Sequence, residues 1–174
     1  KIEYQHNPFP KYKLKLEKTS RYFLSDEELK AIEEVATVPG ERMHLHKMMF
    51  IFASYTGGLR ISDVLKLKWN NFDGSHIHIA IHKNKTQLSI KLPNKAIEIV
   101  KSYHTKKSKP TDFIFPMLDN DVDLNIPEEA YSQISSATAY INKNLKLLAK
   151  KAAIEKPLSF HISRHTWATR ALRK

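Results

Sequence analysis

Apolar residues along the chain fall at two spacings, and the change of spacing marks its elements. In SHIHIAIH (75–82) Ile77, Ile79 and Ile81 alternate with polar or small residues, and in QLSIKLP (87–93) Leu88, Ile90 and Leu92 do the same. A period of two predicts two half-buried antiparallel strands. His82-Lys83-Asn84-Lys85-Thr86 joins them as a hairpin loop. Pro93 stops the second strand, because proline has no N–H to give the ladder.

On either side the spacing is helical. SRYFLSDEELKAIEEV predicts a helix with Ser25 as N-cap, Glu28 completing a capping box and Leu24 stapled against Leu29. Pro39-Gly40 breaks the pattern. ERMHLHKMMFIFASYT (41–56) is apolar enough for a buried helix and ends at Gly57-Gly58, after which a further helix is predicted over 60–69. Asn94 opens another helix, with Ile97, Val100 and Tyr103 facing in. Residues 105–112 form a lysine-rich loop, FIFP is short and extended, and 119–127 is an acidic loop. Residues 128–152 hold one long helix or two short ones; Pro157 breaks the chain again, and a last helix starts near Ser163. Residues 1–20 have two prolines, many lysines and no clean period, so they read as an arm. The fold class expected is α+β, mainly helical with a small antiparallel sheet.

Two of these helices place an arginine among apolar neighbours. On a wheel over 60–69, Ile61, Val64, Leu65, Leu67 and Trp69 form an apolar arc and Arg60 falls between Val64 and Leu67. In the last helix Trp167, Ala168, Ala171 and Leu172 define the apolar side, Arg164 lies within it, and His165 sits at its edge; His161 projects the same way, while Thr166, Thr169, Arg170 and Arg173 take the other side. An arginine in an apolar arc needs an anionic partner, a carboxylate or a phosphate. Asp63 is the nearest carboxylate in sequence to Arg60.

Charge narrows the choice. The 174 residues carry 29 Lys and Arg against 18 Asp and Glu, a net of +11. Such an excess most often serves nucleic acid, whose phosphates release counterions when neutralised. The length suits one domain, or one domain and a linker. No run is long and apolar enough to span a membrane, and the first residues, KIEYQHNPFPKYKLKLEK, contain no apolar stretch like that of a secretory leader. The absence of an initial Met leads us to expect a piece of a longer protein. With no cysteine there are no disulfides and no thiolate metal sites. His76 and His78 share a strand face, but no third ligand accompanies them and H-E-x-x-H is absent, so no metal site is expected.

Two arginines and a histidine, with Lys83 and Lys85 on the hairpin between them, suit the grip of a phosphodiester and of the extra negative charge in its transition state. Guanidinium forks match phosphate oxygens. A lysine on a hairpin can protonate a leaving oxygen, and a histidine can move a proton near neutral pH.

These residues resemble a known family. TGGLRISDVLKLKW, the hairpin lysine of KTQLSIKLP, and HISRHTWAT, in that order, resemble the tyrosine recombinases, the integrases of phages and conjugative transposons. The resemblance implies catalytic roles for Arg60, Lys85 (eight residues before Pro93), His161 and Arg164, a supporting role for Asp63, and DNA contacts at Lys83 and Thr86. It implies the core of a DNA breaking-rejoining enzyme, with residues 1–20 as the join to a DNA-binding arm domain and 21–174 as the catalytic domain. It further implies double-stranded DNA as partner, a homo-tetramer on paired sites, no cofactor or metal, no membrane, and a DNA-associated place in the bacterial cytoplasm. In the family a tyrosine attacks the scissile phosphate. Tyrosines 4, 12, 22, 55, 103, 131 and 140 all precede the H-x-x-R pair, where the family places its nucleophile after it. The expectation is therefore a catalytic core incomplete at its C-terminus, inactive alone. The alternatives are a non-catalytic DNA-binding module of the same fold, or a type IB topoisomerase-like relaxer.

Overall fold

The computed structural model describes residues 22–81, 86–121 and 123–173. The proposed arm at 1–20 and the hairpin lysines Lys83 and Lys85 lie outside the described residues.

Helix α1 spans Asp26–Glu34 and starts as its sequence requires. The Ser25 hydroxyl accepts the Glu28 N–H at 3.2 Å, and the Glu28 carboxylate accepts the Ser25 N–H at 2.7 Å. Leu24 and Leu29 are both buried beside that cap. The other end is closed by a side chain from the next helix: Lys47 Nζ donates to the carbonyls of Glu33 and Val35 at 3.1 and 2.8 Å.

Helix α2 (Arg42–Tyr55) is the axis of the domain. Met49, Phe50, Phe52 and Ala53 have no exposed surface, and α1 and the helices at Asn94–Ser102 (α4), Pro127–Lys151 (α5) and His161–Leu172 (α6) all pack on it. Helix α5 is a single 25-residue helix, Pro127–Lys151, with Pro127 in its first turn, Glu128 and Glu129 at its positive end and Lys150 and Lys151 at its negative end. Among the described residues no helix is long and apolar enough to cross a membrane.

Strands β1 (His76–Ile81) and β2 (Thr86–Lys91) form a two-stranded antiparallel sheet. Ile77 pairs with Ile90 and Ile79 with Leu88, so the apolar positions share one face. Among the described residues the base of the hairpin is well covered: Ile77 and Leu92 are buried, while Leu88 keeps 41 % of its surface.

Two expectations need correction. The helix read over 60–69 is only α3, Ile61–Leu65. Residues 67 and 68 spend their backbone groups on the segment at 113–114, through a Lys68–Phe113 bridge and an Ile114 N–H bond to the Leu67 carbonyl at 2.8 Å. That pairing buries Leu67, Phe113 and Ile114 and ends the helix; a short 3-10 turn at Trp69–Asn71 follows. Arg60 is therefore the extended N-cap of α3, not a residue of an apolar helical face, and it is exposed. The last helix is also rotated from its expected face. Ile162, Ser163 and Thr166 are buried, whereas Ala171 is exposed and Leu172 keeps 89 % of its surface. The Thr166 hydroxyl accepts the Leu24 N–H at 3.0 Å, so a residue that the wheel turns outward is buried beside Ile162 and its hydrogen bond satisfies a buried donor. Arg164 and His161 are consequently exposed as well.

Candidate active site

The turn between α2 and α3 builds one side of the site. Thr56 ends α2, and Gly57 and Gly58 follow with φ of +53° and +63°, the left-handed region that favours glycine. The chain then straightens through buried Leu59 to Arg60. The Asp63 carboxylate accepts the backbone N–H of Arg60 at 3.1 Å. Asp63 thus holds the main chain of the arginine, and among the described residues no ion pair joins the Arg60 guanidinium to a carboxylate.

Helix α6 builds the other side. Its start is fixed by α5, since the Asn142 side-chain oxygen accepts the Phe160 N–H at 2.8 Å. Further along, Arg170 lies over the Tyr55 ring (4.5 Å) and its Nε donates to Asp26 at 2.6 Å, which ties α6 to α1 and α2. His161 and His165 meet edge to face, with ring centroids 4.6 Å apart. Arg164 crosses back to the turn, and its Nη1 donates to the Gly58 carbonyl at 2.7 Å.

Arg60, His161 and Arg164 line one pocket of about 240 Å³, together with Ser62, Thr138, Asn142 and Ser159 and an apolar floor of Leu59, Ile61 and Phe160. None of these lining residues is a carboxylate. A small cleft of guanidinium, imidazole, hydroxyl and amide groups fits a tetrahedral oxyanion, and two arginine forks supply charge-assisted donors to it. The structure brings three of the four residues of the expected catalytic set to one place. Lys85 and Lys83 lie outside the described residues, and Thr86 opens β2 opposite Ile81. Sequence reasoning missed the contributions of Gly58, Thr138, Asn142 and Ser159; the Gly-Gly pair was visible as a helix stop, but nothing local marks Asn142 on α5 as a partner of α6.

Two other histidine groups are accounted for without a ligand. At the foot of the hairpin His78 Nε2 lies 2.8 Å from Asp73, and the Asp73 carboxyl, bonded to His78 and to the N–H groups of Ser75 and His76, is held well below the usual carboxylate range. His46 is fully buried, with Nδ1 accepting from Asn144 at 2.9 Å and Nε2 3.2 Å from the Met117 sulfur. No group of three or more His, Cys, Asp or Glu among the described residues could hold a metal ion.

A small helical domain thus brings two arginines and a histidine to one pocket, with no carboxylate among its described lining residues. The chain is a member of the phage integrase family, whose signature matches residues 15–174. It is similar to the tyrosine recombinase XerC of Pelotomaculum thermopropionicum, 27 % identical over 162 residues, covering 91 % of this chain and 51 % of that protein. It is likewise similar to a tyrosine recombinase of Thermosipho africanus, 27 % identical over 147 residues, covering 82 % of this chain and 47 % of that one. Among solved structures the XerA recombinase superposes with a TM-score of 0.61 at 22 % identity, over 92 % of this chain and 52 % of that one. The XerH site-specific recombinase bound to its difH substrate superposes with a TM-score of 0.58 at 16 % identity, over 93 % of this chain and 46 % of that one. The fold class is thus that of the tyrosine recombinases, and the chain spans about half the length of the relatives it matches.

Proposed function

We propose that residues 21–174 are the catalytic domain of a site-specific DNA recombinase, the integrase of a mobile element, with residues 1–20 as the join to a DNA-binding arm domain. The observation that carries this reading is the single pocket lined by Arg60, His161 and Arg164. Its substrate is a scissile phosphodiester of duplex DNA, consistent with the substrate named for XerH.

Arg60 and Arg164 bind the two non-bridging oxygens and stabilise the additional negative charge as phosphorus becomes five-coordinate. Fixed donors of this kind are worth roughly 3–4 kcal/mol each toward a developing oxyanion. A tyrosine oxygen forms a bond to phosphorus while the bond from phosphorus to the 5′ oxygen breaks. His161 takes up the phenolic proton or steadies its transfer, and Lys85 gives a proton to the departing 5′ oxygen, leaving a free 5′-hydroxyl and a 3′-phosphotyrosine. The 5′-hydroxyl of another strand then reverses these steps on the phosphotyrosine. One ester replaces another at each stage, so the reaction conserves bond energy and the guanidinium charges make metal unnecessary. Asp63 holds the Arg60 backbone, and Lys83 and Thr86 contact the DNA beside the hairpin. The tyrosine comes from outside residues 1–174, the working assembly is a homo-tetramer on two DNA sites, and the protein acts in the bacterial cytoplasm.

The test is strand exchange by the full-length protein on two DNAs carrying its element's crossover site, in EDTA. Recombinant junctions are expected. Supercoil relaxation without junctions would replace this reading with a topoisomerase-like one. Tight, site-specific binding with neither product would make the chain a non-catalytic module.

A further inference from the structure

We propose that Gly58 is a positioning residue for Arg164, a role that rests on the phosphate-binding reading of the pocket. Three observations converge on it. The Gly58 carbonyl accepts Arg164 Nη1 at 2.7 Å. A Cβ added at Gly58 would lie 3.1 Å from Arg164 Cγ and 3.2 Å from Trp167 Cε3, so the backbone of residue 58 rests directly on α6 at this arginine. The φ of +63° turns the chain so that Arg60 follows two residues later on the rim of the same pocket.

The consequence follows from the shape of guanidinium. Its five N–H donors lie in one rigid plane. Once one of them is fixed on a backbone carbonyl, the direction of the others is set, and less rotamer freedom is lost when a phosphate binds. Because the carbonyl belongs to the turn that also carries Arg60, the spacing of the two arginines is set by two residues of backbone. An arginine free to swing would keep its charge at the pocket and lose its aim.

Gly57 supplies the control within the same turn. It has a similar φ (+53°), and an added Cβ there would meet Ile90 Cδ1 at 3.1 Å instead of α6. Alanine at 57 or 58 therefore imposes comparable strain, but only the change at 58 disturbs Arg164.

The experiment measures binding of the 174-residue chain to a fluorescein-labelled DNA duplex at two salt concentrations, beside its thermal unfolding. The variants are Gly57→Ala, Gly58→Ala, Arg164→Ala and the doubles combining each glycine change with Arg164→Ala. Gly58→Ala and Arg164→Ala are each expected to weaken binding by roughly tenfold, the scale of one charge-assisted hydrogen bond, and the Arg164 change to lower the salt slope by about one. The Gly58→Ala/Arg164→Ala double should bind no worse than Arg164→Ala alone. Whatever effect Gly57→Ala has on affinity should multiply with that of Arg164→Ala. A multiplicative loss in the Gly58 double, or unchanged affinity in folded Gly58→Ala, overturns the proposal and leaves the phosphate reading standing. Unchanged affinity and salt slope in Arg164→Ala overturns both. If Gly58→Ala does not fold, Arg164→Lys decides, because it keeps the charge and leaves the turn intact. Binding as weak as that of Arg164→Ala upholds the carbonyl anchor, and binding like that of the unmodified chain overturns it.

Discussion

His46 lies in the core with no exposed surface, between Asn144, Met117 and the Tyr140 ring, which it meets at a right angle. Burial, reinforced by the nearby Arg42 charge, lowers its pKa from 6.5 to about 4. The folded protein therefore holds this imidazole neutral where the unfolded chain protonates it. The sign follows: above pH 6.5 the residue contributes no pH dependence, and stability falls progressively as pH drops from 6.5 toward 4, by roughly 3 kcal/mol at most. Urea midpoints between about pH 7 and pH 4 should show that fall, and His46→Gln should flatten it; an equal slope in the variant would contradict the assignment. The same scale shows what one residue's neighbours in sequence conceal. Arg60, His161 and Arg164 are legible as a chemical set because their types and order are distinctive. Their immediate partners are not, since the Gly58 carbonyl that anchors Arg164 is 106 residues away along the chain. A helical wheel turns both arginines inward, yet both are exposed: Arg60 is an extended cap and not part of a helical face, and Arg164 lies on the outer side of its helix.

Helix α6 shows how a buried hydrogen bond contributes to the orientation of an element. Thr166 has no exposed surface, and its hydroxyl is the acceptor for the Leu24 N–H. Thr166→Val keeps the shape and removes the acceptor, so it should lower the unfolding free energy by about 1–3 kcal/mol, the cost of an orphaned buried donor. Thr169→Val, three residues on and only half-buried, should change it little. Equal effects of the two would mean that the Thr166 bond does not contribute to the orientation of the helix. The elements with strong local signals are readable from sequence: the Ser25–Glu28 capping box, the two alternating strands of the hairpin, and the breaks at Pro39, Gly57 and Pro93. The 60–69 segment and the face of α6 are not. In both, a tertiary hydrogen bond works against hydrophobic period: the Leu67–Ile114 pairing cuts α3 short, and Leu24 claims a threonine that the wheel turns to solvent.

The whole molecule joins a net charge of +11 to a pocket lined by two arginines and a histidine, with no carboxylate among its described lining residues, on a tyrosine recombinase fold. Binding to duplex DNA should weaken linearly in log–log salt titrations, with a slope of about −0.9 for each phosphate contacted. A flat titration would remove phosphate contacts from the account. Composition and motif order make the family legible in the sequence alone, and the fold adds which residues share a pocket. Catalysis itself is tested most directly by covalent trapping. The full-length protein is incubated in EDTA with nicked DNA bearing its crossover site and run on a denaturing gel beside Arg60→Ala. We predict a slow-migrating protein–DNA adduct, sensitive to protease and lost in the variant. Intact, site-specific binding with no adduct would contradict the account and leave Arg60 and Arg164 as DNA-binding residues only.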